Sequence, residues 1–101
     1  MQQPFEFSPN AKKKKKVDIV ALQSPLMRIP RMDIQVVRDL LDQDINQPYQ
    51  LVGRAPEALF EEARKKRPLI PTDHLRFFKM AVYYAETNSP DPEKMYPQHW
   101  D

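Results

Sequence analysis

The sequence predicts an all-α protein, a small bundle of about five short helices with flexible tails. Apolar residues recur at three- and four-residue spacing in successive windows, the period of a helix with one buried face. Helix-starting residues (Ser24, Asp33, Thr72) and one closing glycine, Gly53, bracket those windows. Prolines number 11 against a single glycine, so the chain is cut into short rigid pieces rather than hairpin-linked strands. At 101 residues and 41% apolar content, this is one domain with a thin core.

Charge divides the chain into three parts. Residues 1–16 carry five lysines and Glu6, a net +4. Residues 17–87 hold ten basic and ten acidic residues, a net 0. Residues 88–101 set Lys94 against Asp91, Glu93 and Asp101, a net −2. The pI of about 8.9 therefore belongs to an arm and not to a basic domain face. Lys12, Lys13, Lys14, Lys15 and Lys16 repel one another and bury nothing, so 1–16 is expected to be a disordered basic arm. There is no cysteine, which excludes disulfides, thiolate metal sites and a cysteine nucleophile. No window approaches the ~18 apolar residues that span a bilayer. The lysines are followed by no apolar run of the secretory type, so a cytoplasmic location without membrane contact is expected.

The domain is expected over 17–87. Val17 to Gln23 is a helical turn or an extended arm laid on the core. Ser24 caps a single turn that begins at Pro25 and buries Leu26, Met27 and Ile29. Pro30 ends it. Asp33 caps the next helix, Ile34 to Gln43, whose stripe is Ile34, Val37, Leu40 and Leu41, with Arg38, Asp39 and Asp42 off it. Asn46 caps a short helix from Gln47 to Val52, and Gly53 supplies the left-handed residue that closes it. Pro56 and Glu57 open a helix with Leu59, Phe60 and Ala63 inside. On its outer side Glu61 and Lys65 form an i, i+4 pair worth ~0.3 kcal/mol. Thr72 caps the longest helix, Asp73 to about Thr87, with Leu75, Phe78, Val82 and Ala85 as its stripe and Met80 and Ala81 beside it. The tail, 88–101, ends in Tyr96, His99 and Trp100. Such rings bury large apolar area, so the tail is expected to fold back on the domain.

Ile29-Pro30 through Ile45 is similar to a helix-hairpin-helix unit. The runs Leu51-Val52-Gly53-Arg54-Ala55-Pro56-Glu57-Ala58-Leu59-Phe60 and Leu75 to Ala85, and the ending Pro90-Asp91-Pro92-Glu93 to Trp100-Asp101, resemble the segments C-terminal to that unit in one small bacterial family. That family is the pathogenicity-locus, or mitomycin resistance, helix-hairpin-helix proteins, and the likeness covers roughly 20–101. It implies a helix-hairpin-helix-like domain that binds DNA. The family's hairpin reads Pro-Gly-apolar-Gly where this chain has Pro30, Arg31, Met32 and Asp33. A further glycine is Asp44 here. Glycine permits positive φ and lets backbone N–H groups touch a phosphate. Asp33 would instead bring a negative charge to a helix N-terminus and compete for its N–H groups. Phosphate binding at this hairpin is thus expected to be weakened or lost. The family's capping Asp before Pro-Glu is Ala55, a loss of ~0.5–2 kcal/mol.

Phosphate contacts would fall to Lys12 through Lys16, Arg28, Arg31, Lys65, Lys66 and Arg67. Each has a plainer role. Arg28, Arg31 and Arg38 can pair with Asp33, Asp39 and Asp42, and 65–67 can compensate a helix dipole. Tyr83, Tyr84 and Trp100 can stack bases or simply pack. Adjacent Asp73 and His74 do not face each other on a helix, and His74 and His99 alone make no zinc site. No nucleophile with an oriented base is readable, so neither enzymatic activity nor a cofactor is expected. Two readings stand. One is a weak, sequence-independent binder of DNA phosphates. The other is a protein-interaction module with a degenerate hairpin.

Overall fold

A computed structural model describes residues 19–101. Among them there is no strand. Helix α1 runs through 19–22. Helices α2 (Ile34–Leu41), α3 (Pro56–Lys66) and α4 (Leu75–Glu86) come after it, linked and extended by short 3-10 turns. The expected basic arm lies outside the described residues.

Local chemistry sets several of these boundaries. The Ser24 hydroxyl accepts from the Leu26 N–H at 3.1 Å and starts the turn Pro25–Arg28. At the end of α2, Asp44 N–H donates to Leu41 O and Ile45 N–H to Leu40 O, both at 3.0 Å. This is the Schellman closure, and it requires Asp44 to be left-handed, at φ 61. Buried Leu40 and Ile45 supply the apolar contact of that motif. Gly53 is left-handed at φ 80 and closes the turn Pro48–Leu51, where Arg54 N–H reaches Leu51 O at 3.0 Å. Ala55 stands at the N-cap of α3 and offers no side-chain acceptor. Asp44→Gly removes the left-handed strain at an exposed site. Its expected effect is a gain of ~0.5–1 kcal/mol, read as a raised urea midpoint with an unchanged slope.

Four boundaries differ from expectation, the first being the end of α2, at Leu41 and not the expected Gln43. Asn46 does not cap the next turn. The Gln50 side chain reaches back instead, accepting from the Asn46 and Gln47 N–H groups at 2.7 and 2.8 Å. The turn itself is Pro48–Leu51, shorter than the expected helix. Thr72 does not cap α4. It opens a 3-10 turn, Thr72–His74, that feeds α4. Proline at 71 takes the cap position there and leaves no side-chain acceptor.

Helix α4 is the centre. It packs against α3, against the Pro48–Leu51 turn and against the tail turn Pro97–Trp100. It buries Phe78, Met80, Ala81 and Val82, while Leu75 and Ala85 are only half-buried. From α3 come Leu59, Phe60 and Ala63, the three positions that the spacing assigned to its inner face. The Phe60 and Phe78 rings meet edge to face at 6.0 Å. On α2 the buried set is Val36, Val37, Asp39 and Leu40, with Ile34 and Leu41 at the margin. Asp39 was expected off the stripe. It is drawn inside because a cation from the end of α3 meets it there.

Candidate functional site

The segment expected to be a hairpin, Ile29 to Met32, is a tight turn whose two ends are anchored in the core. Ile29 and Met32 are buried, and the Met32 N–H donates to Ile29 O at 3.2 Å. Pro30 and Arg31 stand at the exposed tip. Proline second and a left-handed residue third is the pattern of a type II turn. Arg31 takes that third place at φ 60, in a conformation that favours glycine.

Asp33 then leaves the turn in extended conformation, at φ −87 and ψ 133. Its Oδ1 accepts from the Gln35 N–H at 2.7 Å and from the Val36 N–H at 3.4 Å. These belong to the few backbone donors that a helix N-terminus leaves open, and they are what an anion would need there. The carboxylate takes these donors itself, and its charge would repel an approaching anion.

Arg31 does not reach toward that place. Its guanidinium lies 3.7 Å above the centroid of the Tyr96 ring, and Nη1 donates to Met95 O at 3.4 Å. The stack contributes ~0.5–1 kcal/mol at an exposed site. An apolar groove of about 290 Å³ lies beside it, between Pro30, Tyr84, Pro90, Pro92 and Met95. In contrast to Asp44→Gly, Arg31→Gly is expected to leave stability within ~0.5 kcal/mol of the parent, because relief of strain is offset by loss of the ring contact. Urea titration of the two variants side by side checks this difference.

The cations of 65–67 are spread over three acceptors. Lys65 Nζ meets Glu62 Oε2 at 2.7 Å, so its partner is at i−3 and not the expected Glu61. The hydrogen bond and charge of Glu62 hold the Lys65 ammonium above its ordinary pKa. Lys66 Nζ donates to Asp42 O at 3.4 Å. Arg67 makes a two-pronged contact with Asp39, Nε to Oδ1 at 2.9 Å and Nη2 to Oδ2 at 2.8 Å. That bond pushes the guanidinium pKa further up, against the opposing effect of burial. The Asp39 side chain is 2% exposed and that of Arg67 38%, so this is a partly buried pair tying α2 to the end of α3. Asp39 thus takes a cation from the end of α3. Arg28 is exposed on its own turn. Lys12 to Lys16 lie outside the described residues.

The tail carries contacts that spacing could not locate. Trp100 Nε1–H donates to Lys94 O at 2.7 Å, and its ring sits 5.3 Å from that of Tyr83. Arg76 Nη2 meets Asp101 Oδ1 at 2.5 Å. The aromatic ending was a signal for packing, but nothing in it named Arg31, Tyr83 or Arg76 as the surfaces. His74 sets its ring edge to face against Phe77 at 6.0 Å, and its Nδ1 is buried without a hydrogen-bond partner. Among the described residues no group of three or more histidine or acidic side chains could hold a metal ion, and no helix is long and apolar enough to cross a membrane. No family model, curated protein or solved structure matches the chain.

Proposed function

We propose that this chain is a non-enzymatic binding module on a helix-hairpin-helix-like scaffold, whose hairpin does not grip phosphate and which works through contacts with protein. The scaffold reading is supported by two left-handed residues, Arg31 and Asp44, at positions where the resembled bacterial family carries glycine. One observation carries the functional reading. The Asp33 carboxylate occupies the Gln35 and Val36 amides that a phosphate would need. The hairpin cation, Arg31, is meanwhile held by Tyr96 and Met95.

A second reading is favoured by the five consecutive lysines of 12–16. Here the chain binds DNA weakly and without sequence preference. The arm supplies most phosphate contacts, and exposed Arg28, Lys65 and Lys66 add to them. Every phosphate neutralised makes the logarithm of affinity fall by ~0.9 per decade of salt.

Fluorescence anisotropy of labelled duplex DNA at about 50 and about 200 mM salt tests whether the hairpin grips phosphate. In the full chain, replacing Lys12 through Lys16 by glutamine is expected to abolish binding that is already weak and salt-sensitive. Arg31→Ala is expected to change nothing. Binding that survives loss of the five lysines and weakens with Arg31→Ala would overturn the proposal, because the hairpin would then be the site. Asp33→Gly is expected to raise DNA affinity by unblocking the amides, at a cost of only a few tenths of a kcal/mol in stability. An unchanged affinity would mean that Asp33 is not what excludes phosphate.

A further inference from the structure

On α4 stands a second arginine with a carboxylate already on it. Arg76 and Lys79, one helical turn apart, line a cavity of about 340 Å³ with Thr72, Leu75 and Trp100. Asp101 reaches into it and meets Arg76 through one oxygen. The fork of Arg76 is only half used, since its Nε is buried and has no hydrogen-bond partner. A guanidinium is built to hold a carboxylate by two parallel N–H bonds. The present occupant makes one, and its side chain is 58% exposed. An ion pair so open to solvent is weak and easily exchanged.

The cavity also says which anion it suits. Asp73 stands on its rim and opposes a doubly charged group. Leu75 gives it an apolar wall. A singly charged carboxylate on an apolar stem fits better than a phosphate. This is the chemistry of an aspartate or glutamate in a peptide, as the Trp100-Asp101 pair itself illustrates.

We infer that the Arg76–Lys79 face of α4 is a docking site for an acidic, aromatic-containing peptide segment of a partner protein, and that Trp100-Asp101 covers Arg76 in cis until such a segment displaces it. The inference rests on the protein-contact reading above, yet it fails separately. The DNA titration tests the hairpin, and peptide capture tests this face of α4.

The probe is a fluorescein-labelled synthetic peptide with the sequence of residues 95–101, capped at both ends, whose one charged side chain is the aspartate. It is titrated into the full chain and into the full chain carrying Trp100→Ala with Asp101→Asn, which vacates the cavity. A tethered tail competes at an effective concentration of the order of mM. The vacated chain is therefore expected to bind the peptide at least ~10-fold more tightly than the parent. Adding Arg76→Gln to the vacated chain should lose that gain, and adding Lys79→Gln should lose part of it. Circular dichroism at 222 nm confirms that each variant keeps its helices. If the Arg76 variant does not, the Lys79 variant decides. Equal affinity for parent and vacated chains would overturn the inference. So would a gain that persists without Arg76, or without Lys79 when that variant decides. Displacement of the peptide by inorganic phosphate at matched ionic strength would overturn the acidic-peptide assignment in favour of a general anion site.

Discussion

Replacing Phe78 by alanine is expected to destabilise the fold by ~3–5 kcal/mol, the range for a buried phenylalanine truncated in a core. Phe78 is 0% exposed, on the helix that packs against α3, the Pro48–Leu51 turn and the tail. Two losses combine. The ring's transfer out of water is forfeited, and a cavity opens that rigid neighbours fill only in part. Its edge-to-face contact with Phe60 also goes, worth ~0.5–1.5 kcal/mol beyond area. A small domain holds only ~5–15 kcal/mol in total, so this one change removes a large share of it. Melting should fall by more than ~12 °C, and the urea midpoint should drop with little change in slope. A loss below ~1.5 kcal/mol would mean that the core is not assembled around α4.

Arg67→Ala is expected to cost ~3 kcal/mol, near the lower end for breaking a buried ion pair because Arg67 is itself partly exposed. The effect comes from what is left behind. Asp39 is almost wholly enclosed, and without its partner its charge sits where water reaches it poorly. Asp39→Leu combined with Arg67→Met removes both charges and should recover most of the loss, since buried pairs replaced by apolar residues are often neutral or better. Urea unfolding of the single and double variants reads the difference directly. A double variant as unstable as the single one would show that α2 and α3 depend on the pair for orientation and not merely for charge balance.

Much of the helical plan was legible in the chain. Ser24, Asp33 and Gly53 act on backbone groups two or three residues away. Their effect depends on local geometry that any helix end presents. Leu59, Phe60 and Ala63 were legible for a similar reason, since a helix places them on one face whatever it packs against. Exceptions arose where local alternatives are nearly equal. Lys65 reaches Glu62 rather than Glu61, and pairs at i+3 and i+4 differ by only tenths of a kcal/mol. Gln50 displaced Asn46 because its longer side chain reaches two backbone N–H groups at once.

The candidate site was less legible. Asp33 was correctly placed as a cap, because capping is local. Arg31 was expected to face phosphate or a nearby acid. It turned to a ring and a carbonyl of the tail, about 64 residues on. Asp39 was expected in solvent and is instead in the interior with Arg67.

Chain order and residue type alone therefore settled that the described chain is helical, where α2 and α3 begin and, for the most part, which faces are greasy. Those outcomes depend on backbone donors and side-chain spacing within about one turn. Partner choice among the charges was decided only when α2, α3, α4 and the tail packed. A guanidinium finds its carboxylate or ring through the angle at which two elements cross, and residues 28 or 64 positions apart carry no local record of that angle.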